Sequence, residues 1–201
     1  MLSLTRLLVL TSSAHALLLP DPTGPFSVGV STSTLTDETR MDPFAPTDAP
    51  EKRRRLQVST FVPLNTTITP CAARTAPYMT PLVAADYGVL ASTAGLPNST
   101  FASLTVHSCE IPPAKPCARS GIGRREATQA SRPLLIFSPG FGQSRLLYSA
   151  MARSLASEGY IVVTVDHPYD ATVVEFPDGS FVQAANISSD DIAAVEMVVQ
   201  V

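Results

Sequence analysis

A strand, a glycine-containing loop, a helix and a second strand follow one another between residues 134 and 165, and that order leaves few folds open. Leu134-Leu135-Ile136-Phe137 is an unbroken apolar run, the pattern of a strand covered on both faces of a sheet. Ser138-Pro139-Gly140-Phe141-Gly142-Gln143 interrupts it. Ser144 is placed to cap a helix. Leu147, Met151 and Leu155 then recur on one face, with Leu146 and Ala150 beside them, as far as about Glu158. Gly159 suits the left-handed position that closes a helix. Tyr160-Ile161-Val162-Val163-Thr164-Val165 reads as a second buried strand. Two strands joined by a helix over so short a distance must run parallel, which puts the chain in the α/β class.

The 201 residues suffice for one domain rather than two, and a 45% hydrophobic content excludes a disordered chain. Lys+Arg 14 against Asp+Glu 17 argues against a nucleic-acid surface. The 18 prolines concentrate between Pro20 and Pro133, predicting a loop-rich half with short strands. Phe26, Val28 and Val30 alternate with polar or small residues as in a half-buried strand. Leu56, Val58, Val62 and Leu64 mark a second strand beyond a polar loop. Residues 80–90 suggest a helix and 103–107 a strand ending near Cys109. Lys52-Arg53-Arg54-Arg55 reads as the solvated start of a strand, in preference to a processing site or a lipid-headgroup contact. Residues 111–132 resemble a surface insertion whose Gly121-Ile122-Gly123 lacks the context of a dinucleotide site. Pro177-Asp178-Gly179-Ser180 predicts a hairpin turn between residues 172–176 and 181–183. Ser188-Ser189-Asp190-Asp191 would cap a helix bearing Ile192, Val195 and Val199. No closing signal precedes Val201, so the domain is expected to be incomplete within these residues.

The first 16 residues read as an export signal, with Arg6, the apolar Leu7-Leu8-Val9-Leu10 and a small-x-small site at Ala14-His15-Ala16. The apolar stretch is too short to span a bilayer, which takes about 20 apolar residues, so no transmembrane segment is expected. Residues 17–201 would then form the mature chain. Sequons at Asn65, Asn98 and Asn186 agree with export. So do Cys71, Cys109 and Cys117, two of which would pair in an oxidising compartment. His107, Cys109 and Cys117 lack a fourth ligand for a metal, which favours the disulfide.

Ligands of parallel sheets bind beyond the carboxyl ends of the strands. Gly140 and Gly142 clear side-chain bulk around Phe141 there, and the following helix adds positive potential. On the residues alone, an oxyanion loop and an ordinary glycine-containing turn fit equally well. No Gly-x-Ser-x-Gly occurs anywhere in the sequence. Gly142-Gln143-Ser144-Arg145-Leu146 is the nearest imitation. A nucleophile elbow needs small residues two positions either side of the serine; Leu146 violates that, and an N-cap role for Ser144 is preferred. His167 is expected near the rim of the site, and His107 has no assigned part.

Leu135-Ile136-Phe137-Ser138-Pro139-Gly140-Phe141-Gly142, Arg145-Leu146-Leu147-Tyr148-Ser149, Leu155-Ala156-Ser157-Glu158-Gly159-Tyr160 and Val165-Asp166-His167-Pro168-Tyr169-Asp170 together resemble the plasma-type platelet-activating factor acetylhydrolase family. Gly24-Pro25-Phe26-Ser27-Val28-Gly29 and Arg54-Arg55-Leu56-Gln57-Val58 fit the family's start. The resemblance implies an α/β-hydrolase fold, here incomplete: N-terminal strands and a first βαβ unit without the nucleophile elbow. It implies a secreted hydrolase of sn-2 acetyl or short acyl esters of glycerophospholipids, working at a membrane or lipoprotein surface without metal or cofactor. It makes the Phe141 amide one oxyanion donor, with Pro139 where the family often has histidine. Serine, aspartate and histidine of the triad would all lie past Val201, and these residues alone are expected to be inactive. The alternatives are another carboxylesterase, such as a dienelactone-hydrolase-like enzyme, or a non-catalytic secreted lipid-binding or truncated product.

Overall fold

The computed structural model describes residues 16–49, 51–65, 73–111, 132–186, 190 and 193. The expected export signal up to His15, Cys71, Cys117, nearly all of the expected 111–132 insertion and most of the helix expected after Ser188 lie outside them. Strands β1 (Leu17–Leu18), β2 (Ser27–Met41), β3 (Arg53–Leu64) and β4 (Arg74–Pro77) precede helices α1 (Pro81–Thr93) and α2 (Thr100–Ser103). Then come β5 (Leu104–Glu110), β6 (Leu134–Phe137), a 3₁₀ turn (Arg145–Tyr148), α3 (Ser149–Ser157), β7 (Ile161–Asp166), β8 (Val173–Glu175) and β9 (Phe181–Gln183). Seven strands form one mixed sheet in the order β1-β5-β2-β3-β7-β6, with β4 on the other side of β5. The β8–β9 hairpin stands apart.

The predicted βαβ unit is present: β6 and β7 pair in parallel from Leu134↔Ile161 to Phe137↔Thr164. Its helix differs from expectation in two ways. The first turn is 3₁₀, capped by the Ser144 hydroxyl accepting from the Leu146 amide at 3.2 Å. The α-helix starts only at Ser149. Tyr78 accounts for the break, since its hydroxyl donates to the Leu147 carbonyl (2.8 Å) and accepts from the Ala150 amide (3.2 Å). The buried face is also not the one centred on Met151, which is exposed. Ala152 and Ala156 are fully buried against Phe61 and Val162, because alanines let a helix lie close on a sheet. Gly159 closes the helix at φ 110°, with the Gly159 amide bonded to the Ala156 carbonyl and the Tyr160 amide to Leu155. That pattern satisfies the last carbonyls of the helix.

β6 departs most from its sequence pattern. It is the terminal strand of the sheet among the described residues, and its Leu134 and Ile136 are 57% and 70% exposed. The face bearing Leu134 and Ile136 is therefore uncovered here, while Phe137 on the other face packs against the Tyr148 ring at 4.6 Å. The central pair β3–β7 carries the burial instead, in register from Gln57↔Asp166 to Phe61↔Val162.

The proline-rich half has the expected short strands in β1 and β4, of two and four residues, but also two long ones. β2 and β3, at 15 and 12 residues, are the longest among the described residues. Between Pro25 and Pro43 the chain has no proline, which leaves β2 its full set of ladder donors, and Pro63 lies past the stretch of β3 that pairs with β7. The four-cation run is solvated only in its first half. Arg53 pairs with Glu38 and Lys52 donates to the Thr47 carbonyl, whereas Arg55 stacks on the Phe176 ring at 3.8 Å and Arg54 is half-buried. Helix α1 lacks a side-chain N-cap of its own. Its Leu82 and Val83 amides are met instead by Glu175 of β8, at 3.0 and 3.3 Å. This fixes the hairpin to the helix.

Candidate active site

The carboxyl ends of β6 and β7 lie side by side. Because β3 runs antiparallel to β7, the start of β3 and the connection from β2 overhang that same end. The chain leaves β6 as Ser138 and turns tightly at residues 140–143. The Gln143 amide donates to the Gly140 carbonyl at 3.0 Å, and Gly142 has φ 74° while Phe141 keeps a negative φ. This is a type II turn, whose third residue must tolerate positive φ, so Gly142 is needed for conformation. Gly140 is different. A side chain there would meet nothing within 4 Å, so the glycine leaves open space in front of Phe141. The Phe141 ring is 53% exposed. Among the described residues its amide donates to no acceptor.

Three ties run from the loop to the segment following β7. Ser138 Oγ and His167 Nε2 are 2.9 Å apart. The Gly142 amide donates to Asp170 Oδ1 at 3.0 Å, and the Thr172 amide to the Gly142 carbonyl at 3.4 Å. Deeper in, the Asp166 carboxylate accepts from both the amide and the guanidinium of Arg145. Asp166 is fully buried and Arg145 nearly so, and Arg145 Nε also donates to Ser59 Oγ at 2.9 Å. Burial raises the Asp166 carboxyl, while the Arg145 guanidinium and amide pull it down. On the opposite flank, Tyr87 of α1 accepts from the Ser144 amide at 2.8 Å. Tyr87→Phe leaves that buried N–H without an acceptor and should cost about 1–3 kcal/mol in urea denaturation.

His167 lies at the site, as its position after β7 suggested, but braced against Ser138 rather than loose on the rim. Its Nδ1 is buried without a partner. Burial pushes the imidazole below its ordinary value. Asp170 and Asp166 oppose this and Arg54 adds to it. A histidine held neutral in the fold binds its proton more readily when unfolded. Stability should therefore fall as pH drops below about 6.5, the ordinary histidine value. His167→Gln should reduce that slope relative to the parent chain when urea midpoints are compared from neutral pH down to about pH 5.

Ser144 serves as a cap, and its side chain is wholly buried. His107 lies apart from this site and contacts Asp21 at 2.9 Å. Cys109 is buried and disulfide-bonded. Asn65, Asn98 and Asn186 are all exposed. Sequence reasoning passed over Ser138, Asp166, Asp170, Arg145 and Tyr87. The first four were partly legible, since residues leaving the ends of adjacent parallel strands must meet. Tyr87 comes from a helix 57 positions away from Ser144, and nothing local announces it. Among the described residues no helix is long and apolar enough to cross a membrane.

Residues 100–178 match the family described as platelet-activating factor acetylhydrolase, isoform II. The chain is similar to a probable 1-alkyl-2-acetylglycerophosphocholine esterase of Arthroderma benhamiae, at 30% identity over 183 residues, 90% of this chain and 44% of that protein. Among solved structures it is similar to a ferulic acid esterase from Streptomyces cinnamoneus, with a TM-score of 0.60 and 30% identity over 90% of this chain and 45% of that one. The chain thus spans less than half the length of either relative. The mixed sheet with its helices is part of an α/β-hydrolase fold, and the relatives are esterases.

Proposed function

We propose that this chain, which carries the platelet-activating factor acetylhydrolase resemblance in residues 100–178, forms the oxyanion-binding half of a secreted hydrolase for sn-2 acetyl or short acyl esters of glycerophospholipids. The observation that carries this reading is the Phe141 amide. It stands in a rigid turn at the carboxyl end of the sheet, before a helical segment, and makes no hydrogen bond among the described residues. A donor fixed in advance stabilises a developing negative charge without reorganising, which is where most ester-hydrolase catalysis arises. A serine attacks the sn-2 carbonyl carbon, and the carbonyl oxygen becomes an oxyanion held by Phe141 N–H and by the amide after the serine. Collapse expels the lysophospholipid and leaves an acyl-serine, which water hydrolyses.

The serine belongs to a segment equivalent to the rest of the longer relatives. The exposed Leu134 and Ile136 of β6 support this, because an uncovered apolar end strand is the natural seat for a further parallel strand and its helices. Export through residues 1–16 is supported by the exposed asparagines of the three sequons and by the Cys109 disulfide. The substrate would be met at a membrane or lipoprotein surface.

A second reading, a carboxylesterase for simple or aromatic esters, is favoured by the likeness to the ferulic acid esterase. Joining these residues to the C-terminal part of the Arthroderma relative tests both. Hydrolysis of 1-alkyl-2-acetylglycerophosphocholine with a kcat/KM well above that for methyl ferulate is expected; the reverse order supports the second reading.

A further inference from the structure

A cavity of about 560 Å³ opens between the β2–β3 connection and the β8–β9 hairpin. From its lining we infer that it is the subsite for the phosphocholine headgroup of the substrate, an assignment that rests on the phospholipid reading above. Three aromatic residues from three separate segments line it: Phe44, Tyr169 and Phe181. Ring faces attract a quaternary ammonium, a cation with no N–H to donate and so recognised chiefly through its charge and methyl groups. Phe181, an aromatic left 53% exposed, gains a role as one wall of such a cage.

The cavity also carries one charge of each sign. Glu51 stands on its rim, and the Arg53 amide, donating to it at 2.7 Å, helps to hold its carboxyl below the ordinary value. Arg55 lines the same space with its guanidinium stacked on Phe176. Stacking leaves the in-plane N–H edges to meet a phosphate. A carboxylate among aromatics for the ammonium and a guanidinium for the phosphate together match a zwitterion. The volume, within the roughly 300–1,000 Å³ of small-molecule pockets, leaves space for adjoining glycerol as well.

Tyr169 connects this cavity to the turn. It is the sole described non-glycine residue at positive φ, 68°, a conformation that costs of order 1–3 kcal/mol and survives only where the surroundings enforce it. The Ala185 amide holds its carbonyl at 2.7 Å, and its neighbour Asp170 holds Gly142. One strained residue therefore presents its ring to the headgroup cavity while the next fixes the turn bearing Phe141. Headgroup and scissile ester would be gripped by a single short segment.

The test is titration of the 201-residue chain with phosphocholine, followed by NMR and calorimetry, with phosphoethanolamine and inorganic phosphate alongside. Saturable phosphocholine binding is expected, with phosphoethanolamine and phosphate weaker. Phe181→Leu should weaken phosphocholine about tenfold, and Glu51→Gln should weaken it while leaving phosphate binding unchanged. Both positions are exposed, and an unaltered urea midpoint shows that the variants remain folded. No phosphocholine binding by the folded parent, equal binding of inorganic phosphate, or indifference to both substitutions would overturn the assignment. Binding needs no nucleophile, so the two readings fail separately. Headgroup binding without hydrolysis in the joined protein removes the esterase reading. Hydrolysis without headgroup binding removes only the subsite.

Discussion

Replacing Asp166 by alanine should destabilise the fold by about 3–5 kcal/mol, a large share of what a domain of this size possesses. The carboxylate is fully buried and binds both the amide and the guanidinium of Arg145. Removing it strands a charge and an N–H together in the interior. Ser59 Oγ alone cannot satisfy the guanidinium that remains. The loss should appear as a lower urea midpoint with little change in slope. The double variant Arg145→Met, Asp166→Leu should recover much of it, since apolar side chains of similar volume avoid the desolvation of two ions. Its shortfall against the parent then reads the bonds that neither new side chain restores, to the Arg145 amide and to Ser59 Oγ. A midpoint unmoved by Asp166→Ala would mean that this pair does not anchor the start of the helical segment.

Phe141→Pro should lower kcat for ester hydrolysis by about 10²–10³ in the protein joined to the C-terminal part of the Arthroderma relative, with KM little changed. Proline is favoured at the second position of a type II turn, because its fixed φ is the one the turn requires. The preceding Gly140 has no side chain to clash with the ring. The substitution thus keeps the turn and deletes one N–H. Phe141→Ala is the control: it keeps the amide and removes only a half-exposed ring, so kcat should stay near the parent value. A proline variant that retains full kcat would remove Phe141 from the oxyanion hole.

The local pattern made the βαβ unit, the hairpin at Asp178 and the Ser144 cap legible, because each depends on neighbours in sequence. It misplaced the covering of β6, since an apolar run says that a strand wants burial and not whether the covering elements lie within the same residues. It misjudged β2, whose run of serines and threonines looks like loop until β3 supplies the partner that pairs Ser27 with Leu64 and Thr36 with Arg55. The helix face shifted from Met151 to Ala152 and Ala156 because periodicity locates apolar residues but not how closely the sheet approaches. The turn's glycines pointed to Phe141. Its supports, Asp166, Asp170 and Tyr87, were hidden because polar residues reveal their partners only in three dimensions.

The central claim is that these residues supply oxyanion binding and not the nucleophile. Incubating the 201-residue chain alone with 1-alkyl-2-acetylglycerophosphocholine, and following release of acetate, tests it most directly. Acetate release no faster than in buffer is the predicted result. Turnover abolished by Ser138→Ala, beside His167, or by Ser144→Ala would contradict it, by showing that a serine within this chain already does the chemistry.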